Sequence, residues 1–134
     1  MDCIFCRIAA GDIPSLKVYE DDYTLVFMDI AKDVDGHMLA IPKKHVKNIL
    51  DCDEETLQRL MATVKRIANH CVENCGYEGV NLLNASDESA GQSVPHFHIH
   101  MIPRKADDDI DAWPSFPGAV REPEEIHREI QMNP

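Results

Sequence analysis

Gly91-Gln92-Ser93-Val94-Pro95-His96-Phe97-His98-Ile99-His100-Met101-Ile102 decides how this chain is read. Three histidines alternate with Phe97, Ile99 and Met101. That is period two, the period of a β-strand, so 96–102 is read as a strand. His96, His98 and His100 then share one face, taken as an otherwise polar one, while the apolar residues face a core. A lone histidine is usually structural, but three in strict alternation beside a Gly-Gln-Ser loop mark a site, because imidazole exchanges protons near neutral pH.

Two chemistries fit the row. Alternate residues on a strand lie roughly 6–7 Å apart, so two imidazoles can converge on one ion. A third lies roughly 13 Å from the first, which strains a single ion held by all three. The other chemistry is phosphoryl or nucleotidyl transfer, with neutral imidazole as the nucleophile and a covalent intermediate dividing the displacement into two steps. The flanking loop favours transfer. Gly91 lets backbone approach an oxyanion, while Ser93 and Gln92 bring a hydroxyl and an amide donor.

Outward from the triad, other short stretches join the pattern. They are Cys3-Ile4-Phe5-Cys6, Asp12-Ile13-Pro14-Ser15, Val18-Tyr19-Glu20-Asp21-Asp22, Phe27-Met28-Asp29-Ile30, Gly36-His37, Ile41-Pro42-Lys43-Lys44-His45 and Asn84. With the triad, written His-φ-His-φ-His-φ-φ for apolar φ, they resemble the histidine triad (HIT) family across residues 1 to about 105. The nearest branch looks like the bacterial, zinc-containing Hint-like nucleotide-binding proteins. Pro103-Arg104-Lys105 is similar to the Fhit-like, dinucleoside polyphosphate hydrolase branch.

The resemblance implies an α+β fold: a five-stranded antiparallel sheet, one long helix and short terminal helices. It implies a purine nucleotide substrate and a nucleotidyl-histidine at His98, with His100 and His37 as polar support. Asp29 would take the ribose hydroxyls. Ile4, Phe5, Ile8, Phe27 and Ile30 would form an apolar slot for the base. Asn84, Gly91, Gln92, Ser93 and Val94 would surround the phosphate or leaving group. Cys3, Cys6, His45 and His96 would hold a structural zinc, a closed Cys₂His₂ set. His96 would then serve the metal and His98 the phosphate. A nucleoside phosphoramidate hydrolase is the leading reading. A dinucleoside polyphosphate hydrolase and a nucleotide-binding module with little turnover are the alternatives. The relatives' homodimers, joined sheet edge to sheet edge, imply a homodimer here.

At 134 residues the chain is one domain, residues 1–105, followed by a tail, 106–134. The formal charge of −11 argues against nucleic acid and anionic membrane as partners. An anionic ligand would therefore need local cations, and Lys43, Lys44, Arg104 and Lys105 lie near the motifs. No apolar run approaches a membrane span and no secretory signal is visible. With five cysteines, an odd number, free thiols or a metal site are expected in a cytoplasmic protein.

Periodicity places a helix over 3–10 capped by Asp2, strands over 18–21 and 23–28 as a hairpin, and a strand over 37–41 stopped by Pro42. It places the long helix over 53–75, with Asp53 as cap and Leu57, Leu60, Met61, Val64, Ile67 and Ala68 as its apolar stripe. A strand over 79–84, a polar loop over 85–93 and a short helix over 123–131 complete the list. Trp113 in the tail is a candidate to cover a partner subunit's site.

Overall fold

The computed structural model describes residues 2–134. A five-stranded antiparallel sheet has the order β1-β2-β3-β5-β4, from β1 (Lys17–Glu20), β2 (Thr24–Met28), β3 (Met38–Pro42), β4 (Gly79–Leu83) and β5 (Ile99–Arg104). Helix α1 (Ile4–Ala9) opens the chain, α2 (Glu54–Asn74) is the long helix, and α3 (Pro123–Ile130) lies near the end. The expected α+β architecture is therefore present, with element ends shifted by about a residue except at β5.

Strand alternation sorts side chains to two faces. Val26, Met38, Ala40, Phe97, Ile99 and Met101 meet Leu60, Val64, Ile67 and Cys71 of α2. Thr24 joins this side through a 2.8 Å hydroxyl contact with Thr63. Leu25, Phe27, Leu39 and Ile41 point the other way and meet Cys3, Phe5 and Ile8 around α1. The histidines belong to this second face. It is apolar and covered, which corrects the expected polar face: α1 closes over it.

Three local readings also change. The cap of α1 is Cys3, whose sulfur accepts from the Cys6 N–H, rather than Asp2. The strand expected over 96–102 starts at Ile99, because Phe97 N–H donates to Val46 C=O and His96 N–H to Val94 C=O instead of entering the sheet. Its far end continues through Pro103 to Arg104, paired with β4. Finally, the loop over 85–93 contains a 3-10 turn, Glu88–Ala90.

Gly36 is required where it stands. Its φ is +83°, and a Cβ there would lie 2.6 Å from Pro103 Cγ. The close approach of the β2–β3 connection to β5 brings His37 onto the histidine row. No helix among the described residues is long and apolar enough to cross a membrane.

Candidate active site and metal centre

His98 sits 7% exposed beneath Phe5, with ring centroids 5.2 Å apart in an edge-on arrangement. Its Nδ1 is 2.7 Å from the His96 carbonyl, a bond in which only Nδ1–H can donate. In the neutral ring the lone pair is therefore on Nε2, the atom left for a reacting centre. Asn84 donates through Nδ2 to the His98 carbonyl at 2.8 Å, so it fixes the backbone of that residue and keeps one N–H for a ligand.

His100 follows on the same face, its ring centroid 5.0 Å from that of His98. Its Nδ1 is 2.9 Å from His37 Nε2. His37 Nδ1 lies 3.0 Å from Asp33 Oδ1. Asp29 Oδ2 is 3.6 Å from His37 Nε2, and Asp29 Oδ1 accepts from the Ala31 N–H. Burial, with the neighbouring His98 and His37, pushes the His100 imidazole below its ordinary range. The structure thus gathers Asp29, His37, His98 and His100 into one cluster, and Asp33, which no motif singled out, joins it.

The apolar residues divide. Phe5, Ile8 and Phe27 are buried together, and Val94 packs against them. Ile30 does not: it is 97% exposed, because the chain turns outward after Asp29. Ile4 is half exposed and lines a cleft of about 430 Å³ with Cys3, Arg7, Ile13, Ser93 and Val94. Ser93 is exposed, and its hydroxyl and the Ser93 and Val94 N–H groups make no hydrogen bond among the described residues. They are uncommitted donors directly before the triad.

Gln92 is not such a donor. Its Nε2 donates to Lys47 and Val94 carbonyls at 2.7 and 2.9 Å, and its backbone N–H to Asp87 C=O. Its Oε1 accepts from Asn48 Nδ2 and Asp87 N–H. Gln92 therefore ties the loop together and has no N–H left for phosphate. Asn48, only 2% exposed, is the other half of this tie, also donating to Asp87 Oδ1. Gly91 takes a left-handed φ of +94°, closing the 3-10 turn before it.

The expected local cations are spent as well. Lys43 pairs with Glu20 at 2.8 Å, Lys44 with Asp53 at 2.9 Å, and Lys105 lies over the Tyr77 ring. Arg104 is the most committed, forked onto Asp108 and bonded to Asn81 Oδ1 and the Ile110 carbonyl. In so acidic a chain Lys43, Lys44 and Arg104 each find a nearer carboxylate. Arg104 clasps the start of the tail instead of reaching a leaving group. Beyond it, α3 buries no residue and Trp113 is exposed.

Cys3, Cys6, His45 and His96 converge. Cys3 Sγ is 3.3 Å from His96 Nδ1, Cys6 Sγ 3.3 Å from His45 Nδ1 and 3.5 Å from His96 Nδ1, and the two Nδ1 atoms are 3.2 Å apart. A tetrahedral zinc with ordinary bond lengths sets its ligands about 3.3 Å apart for two nitrogens and about 3.6 Å apart for sulfur and nitrogen. The four residues fit that ion. His96 is oriented for it: Nε2–H donates to the Pro42 carbonyl at 2.8 Å, leaving the Nδ1 lone pair toward the sulfurs. Burial and the Cys3 thiol push the Cys6 thiol up to about 11, a bias that a divalent cation reverses.

The histidine row and the Cys3, Cys6, His45 and His96 cluster thus meet at His96, which belongs to both. Comparison with known proteins gives the family. The HIT domain family profile matches residues 10–107. The protein named hit from Bacillus subtilis is 47% identical over 103 residues, 77% of this chain and 71% of that one. An adenosine 5'-monophosphoramidase from Schizosaccharomyces pombe is 35% identical over 133 residues, 97% of this chain and 96% of that one. A crystal structure of a zinc-bound histidine triad family protein from Mycobacterium smegmatis matches with a TM-score of 0.78 at 35% identity, covering 84% of this chain and 81% of that one. With its triad, its sheet and most of its length accounted for in this way, the chain belongs to the HIT domain family.

Proposed function

We propose that this protein is a nucleotidyl hydrolase that releases the nucleoside monophosphate from a purine nucleoside phosphoramidate. The observation that carries the reading is the His98–His96 carbonyl bond, which occupies Nδ1 and leaves Nε2 of the buried imidazole as the nucleophile. The name of the fission yeast relative, an adenosine 5'-monophosphoramidase, supports the substrate class.

In this mechanism His98 Nε2 bonds to the α-phosphorus as the phosphorus–nitrogen bond to the leaving amine breaks, and the amine departs with a proton taken from solvent. Water then attacks phosphorus, the Nε2–phosphorus bond breaks and the monophosphate leaves. The proton lost by that water passes to solvent by way of His100, so one proton is taken up and one returned. The Ser93 hydroxyl and the Ser93 and Val94 N–H groups would receive the charge developing on phosphoryl oxygens. Asp29 would bind the ribose, and Phe5, Ile8, Phe27 and Val94 the base. Ile4 and Ile30 would lie at the rim.

The same reading places a structural zinc on Cys3, Cys6, His45 and His96. That ion would tie α1 and the His45 segment to the residue before the triad strand. It also includes a homodimer, because β4 is an open sheet edge. Residues 1–105 would form the working domain, with 106–134 an appended tail.

The test is AMP release from adenosine phosphoramidate and, in parallel, from diadenosine tetraphosphate. Faster release from the phosphoramidate is expected, since Arg104 is held by Asp108 and Asn81 and has no fork left for a polyphosphate. Faster release from the dinucleotide would overturn that choice, and no turnover of either would make the protein a binding module.

A further inference from the structure

We infer that Asp33 is a positioning residue for the histidine row, one that sets the proton polarity of His37 and His100. The inference rests on the hydrolase reading for its kinetic consequence, though not for its geometry.

Asp33 follows β2 in the connection to β3, four residues before His37. Both its oxygens face His37 Nδ1, at 3.0 and 3.2 Å. Its Oδ1 also accepts from the Val34 N–H at 2.8 Å, which orients the carboxylate. The bond to His37 holds the Asp33 carboxyl below its usual range, so it is an anion throughout the working pH. An anionic carboxylate can only accept. His37 must therefore carry its proton on Nδ1, and in the neutral ring Nε2 is a lone pair.

The constraint propagates. His37 Nε2 and His100 Nδ1 are 2.9 Å apart with room for one hydrogen between them. If His37 Nε2 accepts, His100 Nδ1–H donates, and the neutral His100 has its lone pair on Nε2. That atom makes no hydrogen bond among the described residues and belongs to the ring packed edge-on to His98. All donors thus point toward Asp33, and the acceptor end points into the site. Without Asp33 the reverse arrangement, His37 Nε2–H donating to His100 Nδ1, becomes open and leaves His100 Nε2 carrying the proton instead.

The other ionisable neighbours do not impose this polarity. Asp29 faces His37 Nε2 rather than Nδ1, at 3.6 Å. The remaining group at His100 is His98, whose own Nδ1–H is committed to the His96 carbonyl. The Asp33 side chain is 53% exposed, so the pair adds little to stability. Its effect is on which nitrogen bears hydrogen.

The experiment compares the full-length protein with Asp33→Ala and with Asp35→Ala, which removes the same charge two residues away. Imidazole ¹⁵N NMR reads the tautomers of His37 and His100, and AMP release from adenosine phosphoramidate reads kcat and KM. For Asp33→Ala, His37 is expected to change from Nδ1–H to Nε2–H. kcat should fall about tenfold, with KM changed less than about twofold, a smaller effect than loss of a buried orienting carboxylate. Asp35→Ala should match the unaltered protein in both. Unchanged tautomers in Asp33→Ala, or an equal fall in kcat from Asp35→Ala, would overturn the assignment. If the unaltered protein releases no AMP while the tautomers still depend on Asp33, the hydrolase reading fails and the assignment stands.

Discussion

Gly36→Ala is the substitution whose effect the structure fixes most tightly. The residue has φ +83°, and an added methyl would meet Pro103 Cγ at 2.6 Å, Pro103 Cδ at 3.3 Å and the Tyr77 hydroxyl at 3.3 Å. A left-handed backbone costs an L-residue about 1–2 kcal/mol. Forcing a methyl into a filled contact costs about 1–3 kcal/mol more. The Pro103 ring cannot swing aside, because it is buried and its backbone is paired with Val80 in the sheet. The two terms sum to about 2–5 kcal/mol, and at about 3 °C per kcal/mol for a chain of this size the midpoint should fall by about 6–15 °C. Thermal unfolding by circular dichroism measures it. Since His37 is the next residue, AMP release well below the midpoint should fall as well. A midpoint within about 2 °C of the unaltered protein would refute the contact argument.

Other consequences follow from the same geometry. Asn48→Ala removes the shared donor to Asp87 and Gln92; it should cost about 1–3 kcal/mol in denaturant unfolding and slow AMP release by loosening the loop that carries Ser93. Stripping zinc with a chelator, or Cys6→Ser, should lower the unfolding midpoint first and activity afterwards, with metal analysis of the unaltered protein near one zinc per chain. Burial lowers the proton affinity of His96 and His100, so the unfolded chain binds protons that the folded chain refuses. Stability from this source is complete above about 6.5, the unfolded value, and declines as pH falls through the window down to the lowered folded values. Urea midpoints at pH 7.5 and 5.5 should differ in that sense, and equal midpoints would contradict it.

The fold was legible where a pattern was local. The period-two histidines, the α2 stripe and its Asp53 cap placed the main elements within a residue or two. The start of β5 was not legible, because Phe97 alternates like a strand residue while its N–H goes to Val46, fifty-one positions earlier. Side-chain face survived where the ladder did not. Donor availability is hidden for a related reason: sequence shows that Gln92 has an amide and Arg104 a guanidinium, but not that nearer carbonyls and carboxylates already occupy them. Asp33 and Asn48 belong to no motif. Only the loop paths that bring Asp33 to His37, and Asn48 to Gln92, reveal them. Ile30 shows the limit from the other side, an apolar residue in the right motif that the chain turns outward.

In the proposed mechanism His98 Nε2 becomes covalently nucleotidylated. Rapid-quench intact-mass measurement during turnover of adenosine phosphoramidate tests this step. A transient species heavier by one adenylyl group is expected, with fragmentation placing the group on His98, and no such species from His98→Ala. Turnover without any adduct, or an adduct carried by another residue, would contradict it.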